Sequence, residues 1–158
     1  MLAAALLVAC GSSTPSPSSR TALPGRCPGT APTPLPAERW ARARDQIAPP
    51  GATAVRLCRY SGTSAKLITS RLIKTRSVIE KLASDFNALS PATGAIACPA
   101  GNLAQILALL AYPGPKSVSI STQLTGCQTA TNGSITRTAM PRTRAGPRLL
   151  NALERYTG

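Results

Sequence analysis

The chain is 158 residues long and carries 18 Lys+Arg against 5 Asp+Glu, a formal charge of +13 with an isoelectric point near 10.9. It has no His, which excludes Ser-His-Asp and Cys-His nucleophile systems and every His-bearing zinc site. Aromatic residues make up 3% and hydrophobic residues 43%, so a single domain with a core of Ala, Val, Ile and Leu is expected at this length.

At the N-terminus, Leu2 to Ala9 is a short apolar run ending in Leu7-Val8-Ala9-Cys10, followed by Gly11-Ser12-Ser13. A Leu three residues before a Cys, with a small residue just before it, resembles the lipobox of bacterial lipoproteins. The resemblance implies that residues 1–9 are a signal peptide and that Cys10 becomes a new N-terminus carrying diacylglycerol on its sulfur. The chain would then sit on the outer face of the cell membrane. Two acyl chains matter here, because each buried CH2 contributes about 0.8 kcal/mol and one chain anchors only reversibly. Residues 10–35 then read as the lipidated Cys and a tether. The stretch is dense in Ser, Thr, Pro and Gly and has too few apolar side chains to offset its ordering entropy by burial. No other segment approaches the roughly 18 consecutive apolar residues of a spanning helix.

Residues 36–158 read as one domain. Pro36 opens a short helix to about Ile47, with Glu38 in its first turn, and Pro49-Pro50-Gly51 ends it. Thr53 to Tyr60 alternates apolar and polar residues as a strand, and a short strand around Arg71 to Lys74 follows. Ser77 with Glu80 fits a capping box, and Val78, Ile79, Leu82, Phe86 and Leu89 form the apolar stripe of the helix behind it. Pro91 to Gly101 is a loop around Cys98. Leu103 to Tyr112 and Lys116 to Leu124 form a hairpin across Pro113-Gly114-Pro115, and Asn132-Gly133 turns a second one. Pro147 to Tyr156 closes the chain as an amphipathic helix. Strands and helices do not alternate regularly, so the expected class is α+β: a small antiparallel sheet of hairpins with helices on one face, stapled by disulfides.

With Cys10 lipidated, four Cys remain and allow three connectivities. Cys98 and Cys127 are nearly equidistant from Gly114, which brings them together at the open end of the first hairpin. Cys27 and Cys58 are then the second pair. A four-Cys metal site is disfavoured, because its ligands come as close pairs and the gaps here are 31, 40 and 29 residues.

Two further likenesses concern the domain. Arg56 to Gly62, Ala97-Cys98-Pro99, Gly126-Cys127 and Thr131-Asn132-Gly133 resemble a family of uncharacterised exported proteins from GC-rich bacteria, over about residues 40–156. That resemblance carries no activity. The order of strand, helix and hairpins with two bridges is similar to that of subtilisin-inhibitor-like proteins, from which the Cys spacing departs.

The acids are Glu38, Asp45, Glu80, Asp85 and Glu154, with no spacing that would pair two of them for hydrolysis, and no Gly-rich phosphate loop is present. Asp85 falls near the polar face of its helix. No catalytic residue, metal or cofactor is therefore expected. Basic residues supply candidate contacts to an anionic lipid or wall polymer at Arg56, Arg59, Arg71, Lys74, Arg76, Arg142, Arg144 and Arg148. Nucleic acid is not an expected partner, since only Tyr60 and Tyr156 interleave with the cations. The expected function is that of a non-enzymatic, lipid-anchored binding module of the cell envelope. The alternative is an exported protease inhibitor presenting the Thr93 to Pro99 loop.

Overall fold

The computed structural model describes residues 24–92, 97–140 and 144–158. Its centre is a seven-stranded sheet in the order β2-β1-β4-β5-β6-β7-β3. The strands are β1 (Ala54–Tyr60), β2 (Leu67–Ile73), β3 (Ser90–Pro91), β4 (Gln105–Ala111), β5 (Ser117–Gln123), β6 (Thr129–Thr131) and β7 (Thr136–Thr138). Every pairing is antiparallel. Among the described residues three helices join it: α1 (Ala41–Asp45), α2 (Arg76–Asn87) and α3 (Ala145–Thr157). The fold is α+β, with a sheet larger than the small set of hairpins expected. The enlargement comes from β3, which lies in the stretch read as a helix end and loop but pairs Ser90 with Thr138 and Pro91 with Arg137. A proline is tolerated there because an edge strand needs no outward N–H.

Period-two alternation divides the sheet into two faces. Val55 and Leu57, then Ile106, Ala108 and Leu110, then Val118 and Ile120 face one way. They form the main core with Ile47 of the α1 region, Ile79, Leu82 and Phe86 of α2, and Leu149 and Leu153 of α3. All three helices cover this face. The hairpin turns at Gly114, whose φ of +76° suits a residue with no Cβ, and pairs Gln105 with Gln123 and Ala111 with Ser117.

The opposite face carries a smaller apolar cluster of Cys58, Tyr60 and Leu107. Cys27, Ala31 and Leu35 pack onto it, so residues 24–37 form a strap across the sheet. The tether reading of residues 10–35 therefore gives way at its C-terminal end to a packed segment, beginning by Pro24. The strap is fixed at both ends. Ala31 N–H donates to the Ala65 carbonyl at 2.9 Å and Leu67 N–H to the Gly29 carbonyl at 3.0 Å, closing the start of the β2 edge. At the far end Glu38 N–H donates to Ser134 Oγ at 2.9 Å. Cys27 is bonded to Cys58 and Cys98 to Cys127, with Cα separations of 5.7 and 4.8 Å. This is the connectivity that the hairpin geometry selects. Stable bridges belong to an oxidising, extracellular environment. Among the described residues no helix is long and apolar enough to cross a membrane.

Three local expectations change. The helix expected from Pro36 starts only at Ala41, because Glu38 is held in the strap: its Oε1 accepts the Ser119 N–H at 3.3 Å. The cap of α2 is Thr75, whose carbonyl receives the Val78 and Ile79 N–H groups at 3.1 Å. Glu80 consequently lies inside the helix and pairs with Arg76 at 2.7 Å instead of closing a capping box. Asp85 is buried rather than on a polar face, with Lys81 Nζ at 3.1 Å and Arg148 Nη2 at 2.7 Å, which ties α2 to α3.

Candidate functional site

Pleating of β4, β5 and β6 puts their second side-chain set on the strap face. Leu107 and Leu109 of that set pack in the strap-side cluster, while Gln105, Ser121, Gln123, Thr129 and Thr131 are hydroxyl and amide side chains without charge. Beyond the strap they are left uncovered and form the floor of a groove of about 470 Å3. Pro32, Pro34 and Leu35 of the strap make one wall; Gly62, Ala65 and Leu103 make the other.

The floor is internally braced. Ser121 Oγ donates to Gln105 Oε1 at 2.6 Å, and Thr129 Oγ1 donates to Gln123 Oε1 at 3.1 Å. Each amide is thereby oriented by its oxygen, and its NH2 has no protein acceptor among the described residues. An amide oxygen bound on one side and two donors free on the other is a group prepared for an external acceptor.

The outer wall is built by close backbone approach. Gly62 lies so near the Asn102 carbonyl that a Cβ would fall 2.0 Å from its oxygen, so only glycine fits. Asn102 Oδ1 accepts the Ala104 N–H at 3.0 Å and the Thr125 hydroxyl at 2.8 Å, while Asn102 N–H donates back to Thr125 Oγ1 at 3.1 Å. Between these anchors Leu103 is held at φ +63° with its side chain 67% exposed. A branched apolar residue in the left-handed region costs conformational energy, and exposure returns none of it. Ala65, on the same wall, sits at φ +50°. Strain of this kind persists where the surrounding structure over-determines it, which is common at ligand clamps.

A second cleft, of about 550 Å3, lies at the other end of the strap between Glu38, Trp40, Pro115 and Lys116. Trp40 meets Tyr112 edge-on at 4.8 Å, and Lys116 Nζ stands 5.6 Å from the Trp40 ring centroid. Burial raises the Glu38 carboxyl above its ordinary value, partly offset by the Ser119 N–H. Burial and the nearby Glu38 charge raise Tyr112, whose hydroxyl donates to the Pro49 carbonyl at 2.8 Å. This is one carboxylate bound to a backbone donor, with no second acid among the described residues lining the cleft. No group of three metal-capable side chains occurs among the described residues.

Among the described residues, the cations singled out from the sequence do not gather on one surface. By register Arg56 falls on the strap face, whereas Arg59 and Arg71 fall on the helix face. Arg56 is half-buried, and its Nε has no hydrogen-bond partner among the described residues. Arg71, Lys74 and Arg144 are exposed, while Arg76 and Arg148 are engaged by Glu80 and Asp85. Arg142, Cys10 and residues 93–96 of the expected inhibitory loop lie outside the described residues. Among the described residues, the lining of the groove includes none of the singled-out cations. Sequence reasoning missed it because the Ser/Thr/Gln set of β5 reads as an ordinary exposed face until the strap supplies a wall. The visible signal was Pro32-Thr33-Pro34-Leu35-Pro36, too apolar for a free tether and preset to an extended path. No family model, no curated protein and no solved structure matches the chain.

Proposed function

We propose that this chain is an exported, non-enzymatic binding module of the cell envelope, held to the outer face of the membrane by a diacylated Cys10. The observation that carries the binding reading is the braced, uncharged groove between the strap and β4–β6. A cavity of about 470 Å3 with a few oriented polar groups and apolar walls has the size and make-up of a small-ligand site. Among the described residues its lining holds no acid, base or nucleophilic Cys, which supports holding a molecule rather than transforming one. The cations outside the groove, Arg71 and Lys74 among them, supply a diffuse attraction to anionic lipid or wall polymer.

The address is tested by fractionation. In a lipoprotein-processing bacterial host the full chain is expected in the membrane fraction, and Cys10→Ser is expected to release it to the medium or wash. Membrane residence that survives Cys10→Ser contradicts the anchor. A second reading rests on the exposed Cys98-Pro99 segment, which the Cys98–Cys127 bridge supports: the same module would present that loop to a protease. Slow, stoichiometric inhibition of a secreted serine protease would favour it over the groove.

A further inference from the structure

From the lining of the groove, and resting on the reading of it as a binding site, we infer that its ligand is an uncharged saccharide, with N-acetylated sugars the best fit. The first ground is charge. The chain carries +13, yet among the described residues no ionisable side chain lines the groove. A phosphate, sulfate or carboxylate ligand would be matched by Arg or Lys at the point of contact, and none is supplied. The second is donor chemistry. The NH2 groups of Gln105 and Gln123, without an acceptor among the described residues, and the hydroxyl oxygens of Ser121 and Thr129 sit on three adjacent strands, about 4.8 Å apart from strand to strand. They offer both donors and acceptors over a short distance, which is what a ring bearing several hydroxyls requires. The third is the walls. Pro32, Pro34, Leu35 and Leu103 present aliphatic C–H surface to the C–H faces of a sugar, and an acetamido group has a methyl for those walls and a carbonyl oxygen for a Gln NH2.

A peptide fits less well. Peptides recognised by sheets add to a strand edge and use main-chain groups, whereas those of β4 to β6 are spent within the sheet and the groove floor offers side chains only. The fixed backbone of Leu103 completes the case. An apolar contact held open in advance spends no ordering entropy on binding.

The test is a titration of the full chain, with the side-chain NH2 resonances of Gln105 and Gln123 observed directly. The probes are tri-N-acetylchitotriose, maltotriose, a sulfated oligosaccharide and a neutral Gly/Ser/Thr peptide. The expected result is that chitotriose shifts both amide pairs at millimolar concentration or below, with an affinity unchanged between low and high salt. Gln105→Glu, which keeps the shape but removes the NH2 donors, and Gln123→Leu are each expected to weaken binding about tenfold. Leu103→Ser, leaving both amides in place, is expected to weaken it less. Binding of the sulfated probe alone, lost at high salt, overturns the inference. Binding of the peptide alone overturns the saccharide and leaves the groove as a binding site. No response to any probe overturns both.

Discussion

Glu38 shows how one residue changes meaning once its surroundings are known. As the third residue of an expected helix it would be a solvated first-turn acid. In the fold it is half-buried in the strap, accepts the Ser119 N–H, and has a carboxyl pKa raised above the ordinary value by burial. Between the ordinary value of 4.5 and that raised native value, the folded chain holds more protons than the unfolded one. Stability attributable to Glu38 therefore falls as pH rises through this window. Glu38→Gln keeps an acceptor for Ser119 and removes the charge, so it is expected to flatten that fall and to be at least as stable as the parent at neutral pH. Denaturation midpoints measured across the window check this; a variant less stable than the parent at every pH contradicts it. Asp85 teaches the same lesson. Its place on the helix was legible, but its burial was not, because the covering groups come from α3, more than 60 residues further along the chain.

At the scale of elements, α1 is five residues long, too short to persist by its own hydrogen bonds. It is held by Asn132 in the turn between β6 and β7. Asn132 is fully buried; its Nδ2 donates to the Ala43 carbonyl at 2.7 Å and the Ile47 carbonyl at 3.2 Å. Its Oδ1 accepts the Ser134 and Ile135 N–H groups at 3.0 and 2.8 Å. Asn132→Ala leaves these groups without partners and is expected to cost about 2–4 kcal/mol, read from the denaturant midpoint at constant m-value. A loss below about 0.5 kcal/mol, the level of an ordinary surface change, contradicts this bracing. The Asn132-Gly133 pair was legible as a turn from local chemistry, and the β4–β5 hairpin from alternation. The strand β2 was only half legible. Its sequence, Leu-Ile-Thr-Ser-Arg-Leu-Ile, doubles its apolar residues at both ends, and an irregularity at Arg59 and Tyr60 shifts the register so that Tyr60 meets Leu67. Ile68 is left 61% exposed, which period-two reasoning cannot place.

For the whole molecule, the decisive feature is that the sheet is covered on both faces by different means. Helices bury one face in the ordinary way, through stripes that the sequence displays. The other face carries few apolar side chains, and a proline-rich strap closes part of it with one disulfide and a few main-chain hydrogen bonds. Each bridge closes a loop of about 30 residues and contributes on the order of 3.5 kcal/mol in the chain-entropy model, a large share for a domain this size. What the strap does not close is the groove. That groove was not legible in the sequence, because it exists only where distant segments meet: residues 32–35, 62–65 and 103 around a floor drawn from three strands.

The proposed function requires an exported chain anchored at Cys10; the fold itself is stapled by two bridges, one of which, Cys27–Cys58, ties the strap that walls the groove to β1. The most direct measurement is the intact mass of the protein taken from the membranes of its native cell, before and after reduction. The species expected under the proposed function begins at a diacylated Cys10 and gains four hydrogens on reduction, two for each bridge. An unlipidated chain, or one whose mass does not change on reduction, contradicts it.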